Sequence, residues 1–166
     1  MKILITGASS GLGAELARQY ATKDNSLILL ARREDKLRAL KEELSPYAKN
    51  VKIIVADVTE FEILQKKIEI LGFIDMLILN AGISIGHSEE LTSFMDFKRL
   101  YDVNVLASHA ILEVLLPKFQ EQKSGKIVFI SSLASLISMP TSKAYSSTKR
   151  AVNAYAEGLR YKYNKD

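Results

Sequence analysis

The sequence predicts an α/β fold in which a doubly wound parallel sheet of five strands is covered by helices on both faces, giving three layers. Five short apolar runs alternate with segments whose apolar residues recur at helical spacing. The runs are nearly uninterrupted, which is typical of parallel strands buried on both faces. Glycine or polar residues follow each run, at the strand ends where such sheets bind ligands: Gly7, Arg32, Asp57, Asn80 and Ser132.

The composition indicates one ordinary domain with its own hydrophobic core. The chain has 166 residues, of which 48% are hydrophobic and 25% charged. Its net charge is +4, and the charged residues are scattered along the sequence. We therefore expect no nucleic-acid partner. The lack of cysteine excludes disulfides and thiol chemistry. Two isolated histidines, His87 and His109, lack metal-ligand spacing, so no metal site is predicted.

Targeting signals are not predicted. The chain enters an apolar strand at its first residues, which leaves no room for the regions of a signal peptide. Its longest apolar run, Leu71 to Leu79, is interrupted by Asp75 and is too short to cross a bilayer. We expect a cytoplasmic protein without a membrane partner.

The first strand, residues 2 to 6, leads into a glycine turn and a helix with Leu12, Leu16, Ala17 and Tyr20 on one side. Strand, glycine turn and helix together form a phosphate-binding arrangement. Glycines allow close backbone approach, and the N–H groups at the start of the helix attract a pyrophosphate. The predicted cofactor-binding residues of this turn are Gly7, Ser9, Ser10, Gly11, Leu12 and Gly13.

The second strand, residues 26 to 31, ends without an acidic residue. In NAD-binding units a carboxylate near this position binds the ribose 2′-hydroxyl, but here Ala31 is followed by Arg32 and Arg33. Two guanidinium groups can hold a 2′-phosphate, so the pattern predicts NADP, with NAD less favoured. The alternative is that both arginines only begin a solvated helix.

A third strand, residues 51 to 56, follows an amphipathic helix over Glu34 to Leu44. Asp57 and Val58 come directly after it and are predicted to contact the cofactor. Thr59 to Glu62 matches a capping box, so Thr59 is expected to cap the next helix and to leave Asp57 available for an adenine amino group. The alternative is that Asp57 hydrogen-bonds its own turn.

The fourth strand, residues 75 to 79, runs into Asn80, Ala81 and Gly82, where a cofactor could pass close to the backbone. A long helix is predicted from about Asp96 to Gln122. Asn104 lies within it between two valines, so its amide must find partners if it is buried. It is either a satisfied structural amide or part of a site.

The fifth strand, residues 126 to 130, delivers Ser131 and Ser132, and a loop through Met139 leads to a helix with Tyr145 and Lys149. Residues four apart on a helix lie within reach, and an ammonium beside a phenol favours the phenolate. The same spacing recurs at Tyr161 and Lys165, but sixteen residues further along the helix, about 24 Å away, where a site at the strand ends cannot use it.

These motifs resemble the short-chain dehydrogenase/reductase family over essentially the whole chain. The spacing of Gly7 and Gly11 is similar to the compact oxidoreductase branch, and Arg32 after Ala31 is similar to members that prefer NADP. The resemblance implies a Rossmann fold and an NAD(P)-dependent enzyme acting on CH–OH groups. The matched pieces are Thr6-Gly7-x-x-x-Gly11-x-Gly13, Asp57-Val58, Asn80-Ala81-Gly82, Asn104, Ser132 and Tyr145-x-x-x-Lys149.

The family resemblance also implies roles for four catalytic residues. Tyr145 is the general acid in carbonyl reduction and the general base in alcohol oxidation. Lys149 lowers the pKa of Tyr145 and holds the nicotinamide ribose, so both residues contact the cofactor as well. Ser132 hydrogen-bonds the substrate oxygen, where charge develops during hydride transfer. Asn104 positions a water molecule that links Lys149 to a proton relay.

The family members usually continue well beyond the residue that corresponds to Asp166. We therefore expect residues 1–166 to be a single dinucleotide-binding domain, truncated before the substrate-binding C-terminal part. This difference leaves one alternative function open, a non-catalytic dinucleotide-binding sensor or partner-binding subunit, although a pure binder would not need Ser132.

A homodimer is also expected. For a full-length parent protein, a tetramer is the alternative assembly. In the family the two helices that carry Asn104 and Tyr145 commonly pack against their copies in a partner subunit. Both helices here carry more small or apolar residues than one sheet requires: Ala107, Ala110, Ile111, Val114, Ala151, Ala154 and Tyr155.

Overall fold

Five parallel strands form one sheet, in the order β3-β2-β1-β4-β5, in the computed structural model, which describes residues 1–86, 90–138 and 140–163. The order reverses between β1 and β4, which confirms the predicted doubly wound sheet with its switch point there. His87, Met139 and Lys165, considered above, lie outside the described residues. The strands are β1 (Lys2–Thr6), β2 (Ser26–Ala31), β3 (Asn50–Val55), β4 (Met76–Leu79) and β5 (Lys126–Phe129).

Helices connect the strands and cover both faces of the sheet. They are α1 (Gly11–Tyr20), α2 (Glu34–Leu44), α3 (Phe61–Glu69), α4 (Phe94–Tyr101), α5 (Ala107–Gln122) and α6 (Lys143–Tyr163). A π-helical turn (Asp102–Leu106) joins α4 to α5, and two short 3₁₀ turns, Leu133–Ser135 and Pro140–Ser142, lie between β5 and α6. The long helix predicted from Asp96 is therefore present but contains a wider turn at Asn104.

Successive side chains of each strand enter two separate cores, as the period of two requires. Leu4 of β1 packs on the face covered by α3 and α5, with Leu64 and Ile111. Its neighbour Ile5 packs on the opposite face with Ala17 of α1 and other residues of α1 and α2. The three predicted layers are thus held together by two buried apolar clusters, one on each face of the sheet.

Helix α1 packs against the core with the predicted Leu16, Ala17 and Tyr20, but Leu12 of the same predicted side does not. Gly13, Ala14 and Ala17 are buried, whereas Leu12 is 54% exposed. A helix that packs through glycine and alanine lies close to its neighbours, and this turns Leu12 outward at the open end of the glycine turn.

Helix α5 contributes to the core more than its sequence indicated. Ala107, Ala110 and Ile111 are 2%, 7% and 1% exposed, so they are covered within the chain and not available to a partner subunit. Phe94–Gln122 is long and apolar enough to cross a membrane by length and composition, yet half of its most apolar window is buried in this fold. A helix buried to this extent inside the fold packs as a core helix.

Candidate active site

The glycine turn between β1 and α1 is too tight for side chains at two positions. Gly7 has a φ of +67°, and a Cβ there would lie 2.9 Å from the Cα of Ala81. A Cβ on Gly13 would lie 2.4 Å from the carbonyl oxygen of Gly7 and 2.5 Å from Nδ2 of Asn80. Gly11, with a φ of +53°, has no atom within 4 Å of such a Cβ. The turn is therefore packed on one side and open at Gly11.

The ends of β1 and β4 are joined by hydrogen bonds through Thr6. Its Oγ1 accepts the N–H groups of Asn80 and Ala81, each at 3.0 Å. The side-chain amide of Asn80 donates to the carbonyl oxygen of Thr6 at 2.9 Å. These bonds bring Asn80 and Ala81 against the glycine turn at the switch point, as their positions at a strand end predicted.

The N-terminus of α1 faces this open side without a side-chain cap. Ser10 is at the N-cap but makes no side-chain hydrogen bond to the helix backbone. The first N–H groups of a helix have no intrahelical partner and carry the positive end of the helix dipole. Arg33 adds a guanidinium, because its side chain donates to the hydroxyl of Ser9 at 3.0 Å and to that of Ser10.

Asp57 hydrogen-bonds its own turn, which is the alternative considered above, and its contact with the cofactor stays a prediction. Its Oδ1 accepts from the backbone N–H and the hydroxyl of Thr59, at 2.9 Å and 2.8 Å, and its Oδ2 pairs with Arg32 at 3.2 Å. Burial raises the pKa of Asp57, but the bonds from Thr59 and Arg32 together bring that pKa below its ordinary value. The predicted cap by Thr59 is wrong: Glu60 is at the N-cap of α3, without a side-chain bond.

A cavity of about 440 Å³ opens between the ends of β1, β2, β3 and β4. Twelve of the fifteen predicted cofactor residues line it. Of the other three, Gly13 lies beneath the turn, against Gly7 and Asn80, and Tyr145 and Lys149 are not part of the cavity lining. The twelve are Gly7, Ser9, Ser10, Gly11, Leu12, Arg32, Arg33, Asp57, Val58, Asn80, Ala81 and Gly82.

Asn104 is a satisfied amide, buried to 2% exposure within the π-helical turn. Its Oδ1 accepts the N–H of Ile83 at 2.8 Å, and its Nδ2 donates to the carbonyl oxygen of Ile83 and to Oγ1 of Thr148, both at 3.0 Å. The amide therefore links the segment after β4 to helix α6, and it uses both ends to do so.

Lys149 is buried beside Tyr145 and Gly82. Its Nζ donates to the carbonyl oxygen of Ile130 at 2.9 Å and lies 5.8 Å from the centroid of the Tyr145 ring. Burial lowers the pKa of Lys149. A Cβ built on Gly82 would lie 3.5 Å from this Nζ and 3.4 Å from Oδ1 of Asn104, so the lysine and the amide approach the same backbone position.

Ser132 follows β5 and stands at the N-cap of the first 3₁₀ turn. Its Oγ accepts the N–H of Ala134 at 3.2 Å. Because this bond uses a lone pair, the hydroxyl hydrogen is left for another acceptor. Ser132 is half-buried, so that acceptor can be a molecule that enters from outside.

Tyr145 lines a second, smaller cavity of about 280 Å³ between the N-termini of α4 and α6. Its walls are largely polar, with Ser93, Asp96 and Ser142 among them. The second Tyr-x-x-x-Lys copy differs, because Tyr161 is 80% exposed and its hydroxyl bonds to Glu157 of its own helix, at 3.3 Å. The two tyrosines therefore have different environments, as their positions along the helix predicted.

Two features of the site were not predicted from the sequence. Arg99 lines the 440 Å³ cavity together with Arg32 and Arg33. Thr148 is the α6 partner of Asn104. Arg99 could have been found, because it precedes Val103 by four residues on one helix face and both line the cavity. Nothing in the local sequence pairs Thr148 with Asn104.

The 440 Å³ cavity has donors suited to the phosphate groups of a dinucleotide. The glycine turn is open at Gly11, the helix behind it has no side-chain cap, and Arg33 lies over the turn. These are the donors that a pyrophosphate and a ribose phosphate need.

Comparison with known proteins supports the same interpretation. The family model for short chain dehydrogenase matches residues 1–166. An uncharacterized oxidoreductase from Mycobacterium tuberculosis is 40% identical over 98% of this chain and 67% of its own length. An 11-beta-hydroxysteroid dehydrogenase from Pinus massoniana is 36% identical over 95% of this chain, which spans 46% of that protein.

A solved structure shares the architecture as well. The short-chain dehydrogenase from Sphingobium yanoikuyae in complex with NADPH has a TM-score of 0.90 and 28% identity, over 98% of this chain and 65% of that one. The chain thus spans about half to two thirds of the relatives it matches. Its match to the family model over every residue, with the glycine turn and strand-end residues in place, shows that the chain belongs to the short-chain dehydrogenase family.

Proposed function

We propose that the protein is an NADP-dependent oxidoreductase that moves a hydride between nicotinamide and a small-molecule carbonyl or secondary alcohol. One observation carries the proposal: Lys149 Nζ and Asn104 Oδ1 converge on Gly82, which lines the 440 Å³ cavity, while Lys149 also lies beside Tyr145. A cradle for phosphates and a proton-transfer pair therefore share one edge of the sheet. Hydride transfer at that edge needs a bound cofactor and a proton-transfer pair beside it.

Tyr145 is the proposed general acid and base. The bound nicotinamide would supply or accept the hydride. As the carbonyl oxygen gains negative charge, the Tyr145 hydroxyl gives it a proton and the Ser132 hydroxyl donates a hydrogen bond. Ser132 is suited to this role because Ala134 already occupies an acceptor site on its oxygen.

Lys149 is proposed to act on both Tyr145 and the cofactor ribose. An ammonium has three donors, and only one of those on Lys149 is used by Ile130. The remaining donors can reach a ribose hydroxyl, and the positive charge stabilises the Tyr145 phenolate left after proton transfer. Asn104 fixes Ile83 and Thr148 on either side, and we propose that it also positions the water that returns a proton to this pair.

NADP is the proposed cofactor because arginines occupy the end of β2. Arg33 and Ser9 are hydrogen-bonded at the rim of the cavity, and Arg32 stands on its wall. A 2′-phosphate could accept from all three, whereas Asp57, whose charge would repel it, is already paired with Arg32. The relative solved with NADPH is consistent with this choice.

The proposal extends to assembly and location. Residues 1–166 would act as one dinucleotide-binding domain, in the cytoplasm. A homodimer would form through the outer faces of α5 and α6, together with Leu106, the last residue of the π-helical turn before α5, which is 45% exposed; Ala154 of α6 is exposed as well. Because Ala107, Ala110 and Ile111 are buried, the interface would consist of these outer residues with Val114, Ala151 and Tyr155.

Two measurements on the wild-type protein test this function. Titration of the protein with NADPH, followed by fluorescence, should show saturable binding. NADPH absorbance should then fall when small and apolar ketones or aldehydes are added as a panel. Binding without turnover of any carbonyl compound would support the alternative, a non-catalytic dinucleotide-binding subunit. No binding of either NADPH or NADH would contradict both functions.

A further inference from the structure

The turn that follows Ser132 is tied to α6 by side chains outside the proposed catalytic set. We propose that Ser135 and Asn153, supported by Arg150, are positioning residues that set the place of Ser132 relative to Tyr145. The inference rests on the proposed function, since it concerns the geometry of the two hydroxyl groups that would meet the substrate oxygen.

Ser132 is fixed at its backbone as well as at its hydroxyl. Its carbonyl oxygen accepts the N–H of Ser135 at 3.0 Å and the Ser135 hydroxyl at 2.6 Å. Ser135 is only 8% exposed, so water competes poorly for these bonds. The orientation of Ser132 therefore depends on where the side chain of Ser135 is held.

Helix α6 holds that side chain. Nδ2 of Asn153 donates to Oγ of Ser135 at 2.8 Å, which directs the Ser135 hydroxyl hydrogen toward Ser132. The result is a continuous chain of hydrogen bonds from Asn153 through Ser135 to the backbone of Ser132.

Arg150 secures the other end of the turn. Its Nε donates to the carbonyl oxygen of Ser135 at 3.1 Å, and its Nη2 donates to that of Leu136 at 3.3 Å. A cation is favourable at the C-terminal carbonyls of a helical turn, even a short one. Arg150 thus keeps the turn against α6 while Asn153 sets the side chain of Ser135.

The same helix carries Tyr145 and Lys149. Lys149 bonds to Ile130, two residues before Ser132, and Asn153 acts on the turn after it. Ser132 is thereby held from both sides by one rigid helix. Since two hydroxyl groups must reach one oxygen atom, a small shift of Ser132 should slow the chemical step more than it weakens binding.

Two substitutions, Ser135→Ala and Asn153→Ala, test the inference. The kcat of each is measured in the otherwise wild-type protein and in a protein that also carries Ser132→Ala. In wild type each should lower kcat about tenfold with the NADPH dissociation constant unchanged. In the Ser132→Ala background neither should lower kcat further, because the residue they position is gone. Gln122→Ala is the matched control, because Gln122 bonds to Ile74 and Ser124 before β4 and β5 begin, at the end of these strands away from Ser132, and kcat should be unchanged.

Equal losses of kcat in both backgrounds, or no loss in wild type, would overturn the positioning role. A second readout does not need turnover: hydrogen exchange of the Ala134 amide, which donates to Ser132, should be faster in Asn153→Ala than in wild type and Gln122→Ala. Unchanged exchange there would also overturn the inference. Inactivity of the wild type, with exchange altered as expected, would contradict the proposed function while leaving the structural tie in place.

Discussion

Arg32 and Arg33 are adjacent in sequence but have different partners. Arg33 bonds to the hydroxyls of Ser9 and Ser10 above the glycine turn, and Arg32 pairs with Asp57 at 3.2 Å. The Arg32 side chain is 58% exposed, so this ion pair alone adds little stability. In the proposed cofactor site this pair would neutralise Asp57 and leave Arg32 donors for a 2′-phosphate.

Arg32→Ala should therefore weaken NADPH binding by about ten- to a hundredfold, the effect of losing a charge-assisted contact. It also removes the partner of Asp57, whose carboxylate would then repel the phosphate. NADH binding should hardly change. Dissociation constants for both cofactors check this, with Arg38→Ala as control, because Arg38 pairs with Glu34 on α2 and does not line the cavity. Equal affinities of wild type for NADPH and NADH would refute the cofactor preference.

The glycine turn is the element on which the cofactor site depends most directly. Gly13→Ala would put a methyl group 2.4 Å from the carbonyl oxygen of Gly7, inside a turn that packs against Asn80. Such overpacking typically costs about 1–3 kcal/mol of folding free energy. Because the turn must shift to relieve the contact, NADPH affinity should fall as well.

Gly158→Ala is the matched control for that substitution. Gly158 lies in α6 and has no atom within 4 Å of an added Cβ. Alanine there should raise the free energy of unfolding by about 0.5–1 kcal/mol, because glycine is a weak helix former. Thermal unfolding of both variants gives the comparison: a destabilised Gly158→Ala, or a Gly13→Ala as stable as wild type, would contradict this account of the turn.

At the level of elements, the strands and their terminal residues could be predicted from the sequence. Buried parallel strands are uninterrupted apolar runs, so the residue after each run, such as Asn80 or Ser132, is placed at the ligand-binding edge by the fold itself. The partners of those residues could not be predicted. Thr148 is 44 residues from Asn104, and only the tertiary packing of α6 brings them together.

Local sequence patterns also gave wrong expectations where the same pattern is compatible with two different structures. Thr59 fits a capping box, but Asp57 accepts both the N–H and the hydroxyl of Thr59 and so removes it from that role. Helical spacing marked Ala110 and Ile111 as apolar positions on α5, but spacing cannot distinguish a face that packs inside the chain from one that meets a partner.

For the whole molecule, assembly should depend on the outer faces of α5 and α6. Leu106→Glu places a charge at a 45% exposed apolar position on this face and should yield a monomer. Tyr47→Glu is the control, because Tyr47 is 61% exposed and follows α2 on the opposite face of the sheet. Light scattering at micromolar concentration distinguishes them. A monomeric wild type, or a Leu106→Glu protein that dimerises normally, would count against this interface.

The most direct test of the central claim compares two tyrosines on one helix. Tyr145 lies beside the buried Lys149, whereas Tyr161 is 80% exposed and its hydroxyl bonds to Glu157. Both would be changed to phenylalanine, and NADPH oxidation would be followed with a carbonyl compound that the wild type reduces. We predict that Tyr145→Phe abolishes turnover with NADPH affinity nearly unchanged, because only the proton donor is lost, and that Tyr161→Phe behaves as wild type. Undiminished turnover in Tyr145→Phe would contradict the proposed mechanism.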